Sequence, residues 1–254
     1  RLNRFPPPGF PVVLPRYNGA RKLPVLTPLL GLLLARDGHC VVLHGTQTEA
    51  RRVTASSVLE AMGLAALQEV RALRASELAH IDTGVLSPGL KRLLAVRQVV
   101  GLRNPAHSVV KLMQPALGDN LVLSSYTHPA YLESMDQTFA LLGMHSLLSR
   151  GLEGESTADP RRTAQVDGYV RGERIELQAQ SAGTLGDVPG LPGAIDVAST
   201  APYTPDVLEG RLPLPEAIAR QVRQVARLVD LIRAGSATID RTTSAPAANA
   251  ELTP

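Results

Sequence analysis

Residues 12–63 read VVLPRYNGARKLPVLTPLLGLLLARDGHCVVLHGTQTEARRVTASSVLEAMG. Two apolar runs in this stretch, Val12-Val13-Leu14 and Cys40-Val41-Val42-Leu43, are too short for helices and read as buried strands. Between them, Thr27-Pro28 supplies an N-cap followed by proline at the first helical position, and Gly38 closes the helix. After the second run, Thr54 caps another helix through Val58-Leu59-Glu60-Ala61-Met62, which stops at Gly63. The order is strand, turn, helix, strand, turn, helix. Parallel strands joined by a crossover helix bring both turns to the carboxyl ends of the strands, where open α/β sheets bind ligands.

The alternation continues. Ser87-Pro88 opens a helix to about Val100, and Ala106 to Met113 predicts a second one ending at Gln114-Pro115. Leu121-Val122-Leu123-Ser124 returns to the sheet, Thr127 and Pro129 start a helix running to Gly143, and Ser146-Leu147-Leu148 is a short strand. Val166 to Val170 and Arg174 to Leu177 alternate around Arg171-Gly172-Glu173 as a hairpin. Gly183 to Pro205, rich in glycine and proline, is expected to be mostly loop; Pro215 to Arg233 is the last helix, stopping near Gly235. Thr242 to Pro254 has few large apolar residues and is expected to be a disordered tail. The expected class is α/β: an open, mostly parallel sheet flanked by helices over 1–86 and 119–241, with part of a small helical domain over 87–118.

A chain of 254 residues with 44% apolar content can bury a core of this size. No apolar run is long enough to cross a bilayer, so no membrane partner is expected. The single cysteine, Cys40, cannot form an internal disulfide and suits a core position in a reducing cytoplasm. The six histidines are scattered, with no HxxxH or CxxC spacing, and no structural metal is expected.

The two turns carry a specific pattern. The order of elements resembles the anthranilate phosphoribosyltransferase family (glycosyl transferase family 3, with the nucleoside phosphorylase/phosphoribosyltransferase type of fold). In that family a G-T-G-G-D-G loop follows the first strand and K-H-G-N the second. Here the segments read Pro15-Arg16-Tyr17-Asn18-Gly19-Ala20 and Leu43-His44-Gly45-Thr46. Glycines in such a loop let backbone N–H groups approach an oxyanion, and only Gly19 remains. The degenerate phosphoribosyl pyrophosphate pocket would comprise Tyr17, Asn18, Gly19, His44, Gly45 and Thr46. A second segment, Leu90 to Arg103, is similar to the family's M-K-H-V-A-P-V-R-K-E-L-G-V-R, which makes Arg97 the counterpart of the arginine that contacts the substrate carboxylate. The family's acidic magnesium loop is shortened to Gly151-Leu152-Glu153-Gly154-Glu155-Ser156. Tyr17 to Arg21, His44-Gly45-Thr46, Ile81 to Leu90 and Asn104-Pro105-Ala106-His107 resemble the YbiB-type branch of the superfamily, described as nucleic-acid-binding proteins on the transferase fold. That resemblance implies a homodimer, and the start at Arg1 implies that N-terminal helices of the family are missing.

Charge gives this a physical basis. Net charge is only +3, but arginine greatly outnumbers lysine. The basic residues cluster at Arg16, Arg21 and Lys22, at Arg51 and Arg52, and at Lys91, Arg92, Arg97 and Arg103, with Lys111 and Arg161-Arg162 farther on. On the expected fold the first three groups converge on one cleft. Arginine contacts phosphate bidentately without reading bases, and Tyr17 is the aromatic expected to stack on a base. Arg97 falls among apolar helix positions and needs a buried partner, a subunit contact or an anion. Arg220, Arg223 and Arg227, beside Glu216 and Asp230, read as a solvated face. The reading is binding of single-stranded DNA or RNA without sequence preference and without a cofactor. The alternatives are an active phosphoribosyl or glycosyl transferase, which would need magnesium, and a small-anion or nucleotide-binding regulator.

Overall fold

The computed structural model describes residues 10–49 and 51–243, with side chains as far as residue 235. Seven strands form one sheet in the order β3-β2-β1-β4-β5-β6-β7. Strands β1 (Pro11–Pro15), β2 (Cys40–Gly45), β3 (Leu78–Asp82), β4 (Leu121–Ser125) and β5 (Ser146–Ser149) are mutually parallel; β6 (Val166–Val170) and β7 (Glu173–Gln178) add an antiparallel edge. The chain moves outward from β1 to β3, then returns to lay β4 against the other side of β1. The crevice at the carboxyl ends of β1 and β4 is therefore the switch point of the sheet, where ligands bind in such folds.

Side chains alternate faces along each strand. Val12, Leu14, Val41, Leu43, Leu121 and Leu123 pack under α1 (Thr27–Arg36), α2 (Ala55–Ala61), α7 (Val197–Leu208) and α8 (Glu216–Thr243). Val13, Val122 and Leu148 face α6 (Pro129–Leu142) through Phe139, which lies edge-on to Tyr169 at 4.9 Å. Val42, Ala79 and Ile81 meet Leu86 of α3 (Thr83–Leu86) and Leu94 of α4 (Pro88–Val100), with Ala106 of α5 (Ala106–Val109) behind them. Each such leucine taken out of water contributes roughly 1.5–3 kcal/mol. The fully buried central strands explain the uninterrupted apolar runs in the sequence.

Several expectations need correcting. Thr27 is the first helical residue; Leu26 holds the cap position, and the Thr27 hydroxyl turns to Glu155 and Thr157 instead. Within the segment expected to be loop, Val197–Leu208 is helical despite Pro202 and Pro205. Asp196 caps it through the Ser199 N–H at 2.7 Å, and burial of Tyr203, Thr204 and Val207 outweighs the missing proline donors. The last helix does not stop at Gly235 but continues to Thr243, so Thr242 and Thr243 are not tail; residues 244–254 lie outside the described residues. Helix α5 gives way to a 3-10 turn at Val110–Leu112, short of the expected end at Met113. Strand β3, whose His80 and Asp82 break the apolar pattern, was not expected from the sequence. The Thr54 cap, the hairpin and α6 lie where the sequence puts them.

Candidate functional site

The loop after β1 is held close to the end of β2. Arg16 N–H donates to the His44 carbonyl at 2.9 Å and Ala20 N–H to the Val53 carbonyl at 2.7 Å. Gly19 has φ +68, and a Cβ there would stand 2.7 Å from the Val53 oxygen; at Gly45 it would stand 2.0 Å from the Arg16 oxygen. Both glycines are explained by this contact between backbones, with no ligand required.

The N–H groups that would cradle a phosphate are already engaged by carboxylates of the chain itself. Asn18 and Gly19 donate to Glu155 Oε1 at 2.7 and 2.8 Å, and Thr27 Oγ1 donates to Oε2 at 3.3 Å. Arg21 N–H donates to Glu153 Oε2, and Lys22 N–H to Oε1 at 2.7 Å. The intervening Gly154 carbonyl accepts from Asn18 Nδ2 at 2.6 Å, Ser125 Oγ at 2.7 Å and Lys111 Nζ at 3.1 Å. Lys111 is thus a strut within the protein, and burial pulls its ammonium below the usual lysine range, against the pull of Glu155. The space left under the loop, lined by Arg16, Tyr17, Asn18, Thr46, Thr54 and Glu155, is about 10 Å³. That is at most the room of one water. A magnesium ion does not fit these residues either, because Glu153 and Glu155 spend their oxygens on the loop.

Tyr17 is not a stacking platform. It is 6% exposed, and its hydroxyl is held by His44 Nδ1 and Thr83 Oγ1, each at 2.8 Å, beneath the loop. Burial pushes the phenol well above its usual range. His44 is fully buried, and that burial, reinforced by the Arg16 charge, pulls its imidazole down to about 3, so the ring is neutral. Arg16 itself is turned inward, reaching the Ile81 carbonyl at 3.4 Å, and burial lowers its pKa. It does not join the surface cations.

The other basic residues gather around one carboxylate that the sequence reading overlooked. Glu49 accepts from Arg97 at 2.6 Å and Arg52 at 2.7 Å, with Arg103 at 3.6 Å. Burial opposes its charge, yet the bonds from Arg97 and Arg52 hold its carboxyl below the usual range. This contact supplies the partner that Arg97 required. Arg103 also reaches Asn18 Oδ1 at 3.2 Å, tying α4's end to the first loop. Arg21, Arg51, Arg52 and Arg97 line an open cleft of about 530 Å³ together with Glu49, Ala20, Val53 and Ile195. Lys22 and Arg92 are exposed outside its lining, and Lys91 is drawn off to Asp82 at 2.7 Å. Helix α4 buries only Leu94; Leu93, Val96, Val99 and Val100 are exposed. Arg161 and Arg162 pair with Asp159, away from this cleft. Arg223 pairs with Glu216 at 2.7 Å as a solvated face would, whereas Arg220, 3.7 Å from the same carboxylate, is half-buried and also donates to Gln178 Oε1 at 3.3 Å.

No family model matches the chain. Over 224 residues it is 36% identical to the uncharacterized protein YbiB of Escherichia coli K12, covering 85% of this chain and 69% of that protein. The chain belongs to the YbiB family. Its fold is that of the anthranilate phosphoribosyltransferases. The anthranilate phosphoribosyltransferase TrpD of Thermus thermophilus superposes with TM-score 0.62 at 23% identity, over 87% of this chain and 67% of that one. The Saccharomyces cerevisiae enzyme in complex with PRPP and Mg superposes with TM-score 0.57 at 10% identity, over 89% and 67%. At these identities the likeness is one of fold, and this YbiB-family chain owes its chemistry to its own residues. No helix among its described residues is long and apolar enough to cross a membrane.

Proposed function

We propose that this YbiB-family chain binds single-stranded nucleic acid without sequence preference, on a transferase scaffold whose phosphate loop is closed. The observation that carries the reading is the cleft that gathers Arg21, Arg51, Arg52 and Arg97 beside the switch point of the sheet. Arg21 and Arg51 make no side-chain ion pair or hydrogen bond among the described residues, so both can take phosphate at little cost. Lys22, Arg92 and Arg103 extend the basic rim, and Lys91 would join it by exchanging Asp82 for a phosphate. With Tyr17 buried, affinity rests on phosphate contacts, which position a strand without reading it.

The transferase alternative is opposed by the space of about 10 Å³ where pyrophosphate would lie. We further propose that copies pair through the exposed Leu93, Val96, Val99 and Val100 of α4, which light scattering on the chain would register as a dimer. A cytoplasmic location is part of the same reading, consistent with the buried Cys40 thiol.

A salt series of binding to single-stranded DNA and RNA tests the function. Four phosphate contacts give a slope of log affinity against log salt of about −3, and Arg21→Ala with Arg51→Ala should reduce it by roughly 1.5 for every sequence alike. Arg223→Ala with Arg227→Ala is the control. Equal weakening by the control, or no binding at low salt, overturns the reading.

A further inference from the structure

A second cavity, about 470 Å³, lies outside the carboxyl end of β5, between the base of the β6–β7 hairpin and the start of α8. It shares no lining residue with the basic cleft. Its volume is that of a small-molecule site. The walls are tied together: Ser181 N–H donates to the Thr163 carbonyl at 3.1 Å, Leu185 N–H to the Arg161 carbonyl at 2.8 Å, and Gln221 bridges the Ser156 carbonyl and Ala158 N–H at 2.7 and 2.8 Å. Such a cavity is preformed.

The polar lining is unbalanced. Four arginines (Arg150, Arg161, Arg162 and Arg220) face two carboxylates, Asp159 and Glu216, a net charge of +2. Asp159 is held by Arg161 at 2.8 Å, and Arg162 Nε lies 3.1 Å from it without hydrogen-bonding geometry, so that donor is unfilled. Arg150, on the rim, has no ion pair among the described residues. Ser149, the last residue of β5, is 3% exposed and its hydroxyl has no partner. A buried hydroxyl without a partner is costly, and here it shares one cavity lining with the unfilled Arg162 Nε and the exposed guanidinium of Arg150, a set of donors suited to an oxyanion. Leu147, Val166 and Leu185 supply an apolar wall.

We infer that this cavity binds a small organic oxyanion, with its phosphate or carboxylate between Ser149, Arg150 and Arg162 and a short apolar body against the wall. The site is independent of the nucleic-acid cleft.

Calorimetric titration of the full chain with inorganic phosphate and, separately, malonate, at ionic strength matched by chloride, tests the inference and tells a phosphate site from a carboxylate site. The expected result is saturable binding of at least one anion, weakened roughly tenfold or more by Arg150→Ala and also weakened by Ser149→Ala. Both variants are expected to fold, since Arg150 is exposed and the Ser149 hydroxyl contributes no bond to the fold. Binding should be untouched by Arg21→Ala with Arg51→Ala. Absence of binding by either anion, binding that survives both the Arg150 and Ser149 changes, or binding lost with the Arg21 and Arg51 changes would overturn it.

Discussion

At the scale of single residues, the site is governed by what burial does to polar groups. Tyr17 has the chemistry to stack on a base and the position in the loop to do so, yet its hydroxyl is committed to His44 and Thr83. Tyr17→Phe should therefore cost about 1–3 kcal/mol in urea unfolding, because two buried partners lose a bond, while the affinity for single strands stays the same. A fall in affinity with unchanged stability would restore the stacking role. His44 sets a pH dependence. Its folded-state pKa, near 3, is below the unfolded value of about 6.5, so the unfolded chain takes up its proton first as pH falls. Stability from this group is intact above about pH 6.5 and declines at up to roughly 1.4 kcal/mol per pH unit below it, until the folded pKa is reached. Unfolding at pH 7.5, 6 and 5 should show a shallower loss in His44→Gln than in the unaltered chain.

At the scale of elements, the loop after β1 and the turn after β5 act as one unit. A phosphate loop normally leaves its N–H groups for the ligand; here Glu153 and Glu155 accept four of them. Removing the Glu155 carboxylate by Glu155→Ala leaves two donors buried without a partner and should cost about 3 kcal/mol. The vacated cradle should then accept a free anion, so phosphate should raise the unfolding midpoint of Glu155→Ala more than that of the unaltered chain. An equal rise in both would mean that the loop does not retain an anion-binding shape. Helix α4 shows the opposite arrangement, since its apolar face has no cover within the described chain while its one inward cation, Arg97, is held by Glu49.

On the scale of the whole molecule, two positive regions sit outside different strand ends of one sheet: the cleft near β1 and β2, and the cavity beyond β5. The sheet sets their separation, and the two share no lining residue. The salt slope and the anion titration therefore probe different surfaces. A chain in which Arg21, Arg51 and Arg150 are all changed to alanine should lose the two kinds of binding additively, as for sites without shared partners.

The strand–helix–strand order, the Thr54 cap and the hairpin could be read from residues 12–63 and 166–177 because they depend on local periodicity and capping chemistry, which the chain carries in consecutive positions. Of the three basic groups expected in one cleft, Arg21, Arg51, Arg52 and Arg97 line it, since the strand ends dictate where their loops meet, whereas Arg16, Lys22, Lys91, Arg92 and Arg103 do not. What the sequence could not reveal were the long-range pairings. Glu155 meets Asn18 across 137 positions, Arg97 meets Glu49 across 48, and Tyr17 meets Thr83 across 66. The same separation hid the prolines of α7, whose helix is held by tertiary burial against its own propensity. Sequence alone determined which groups the loops carry, because the first loop keeps Gly19 as its one glycine and Leu43 stands before His44 whatever the fold. Only the tertiary structure decided what those groups meet, because a carboxylate fills an anion cradle only when distant strands bring it within hydrogen-bonding reach.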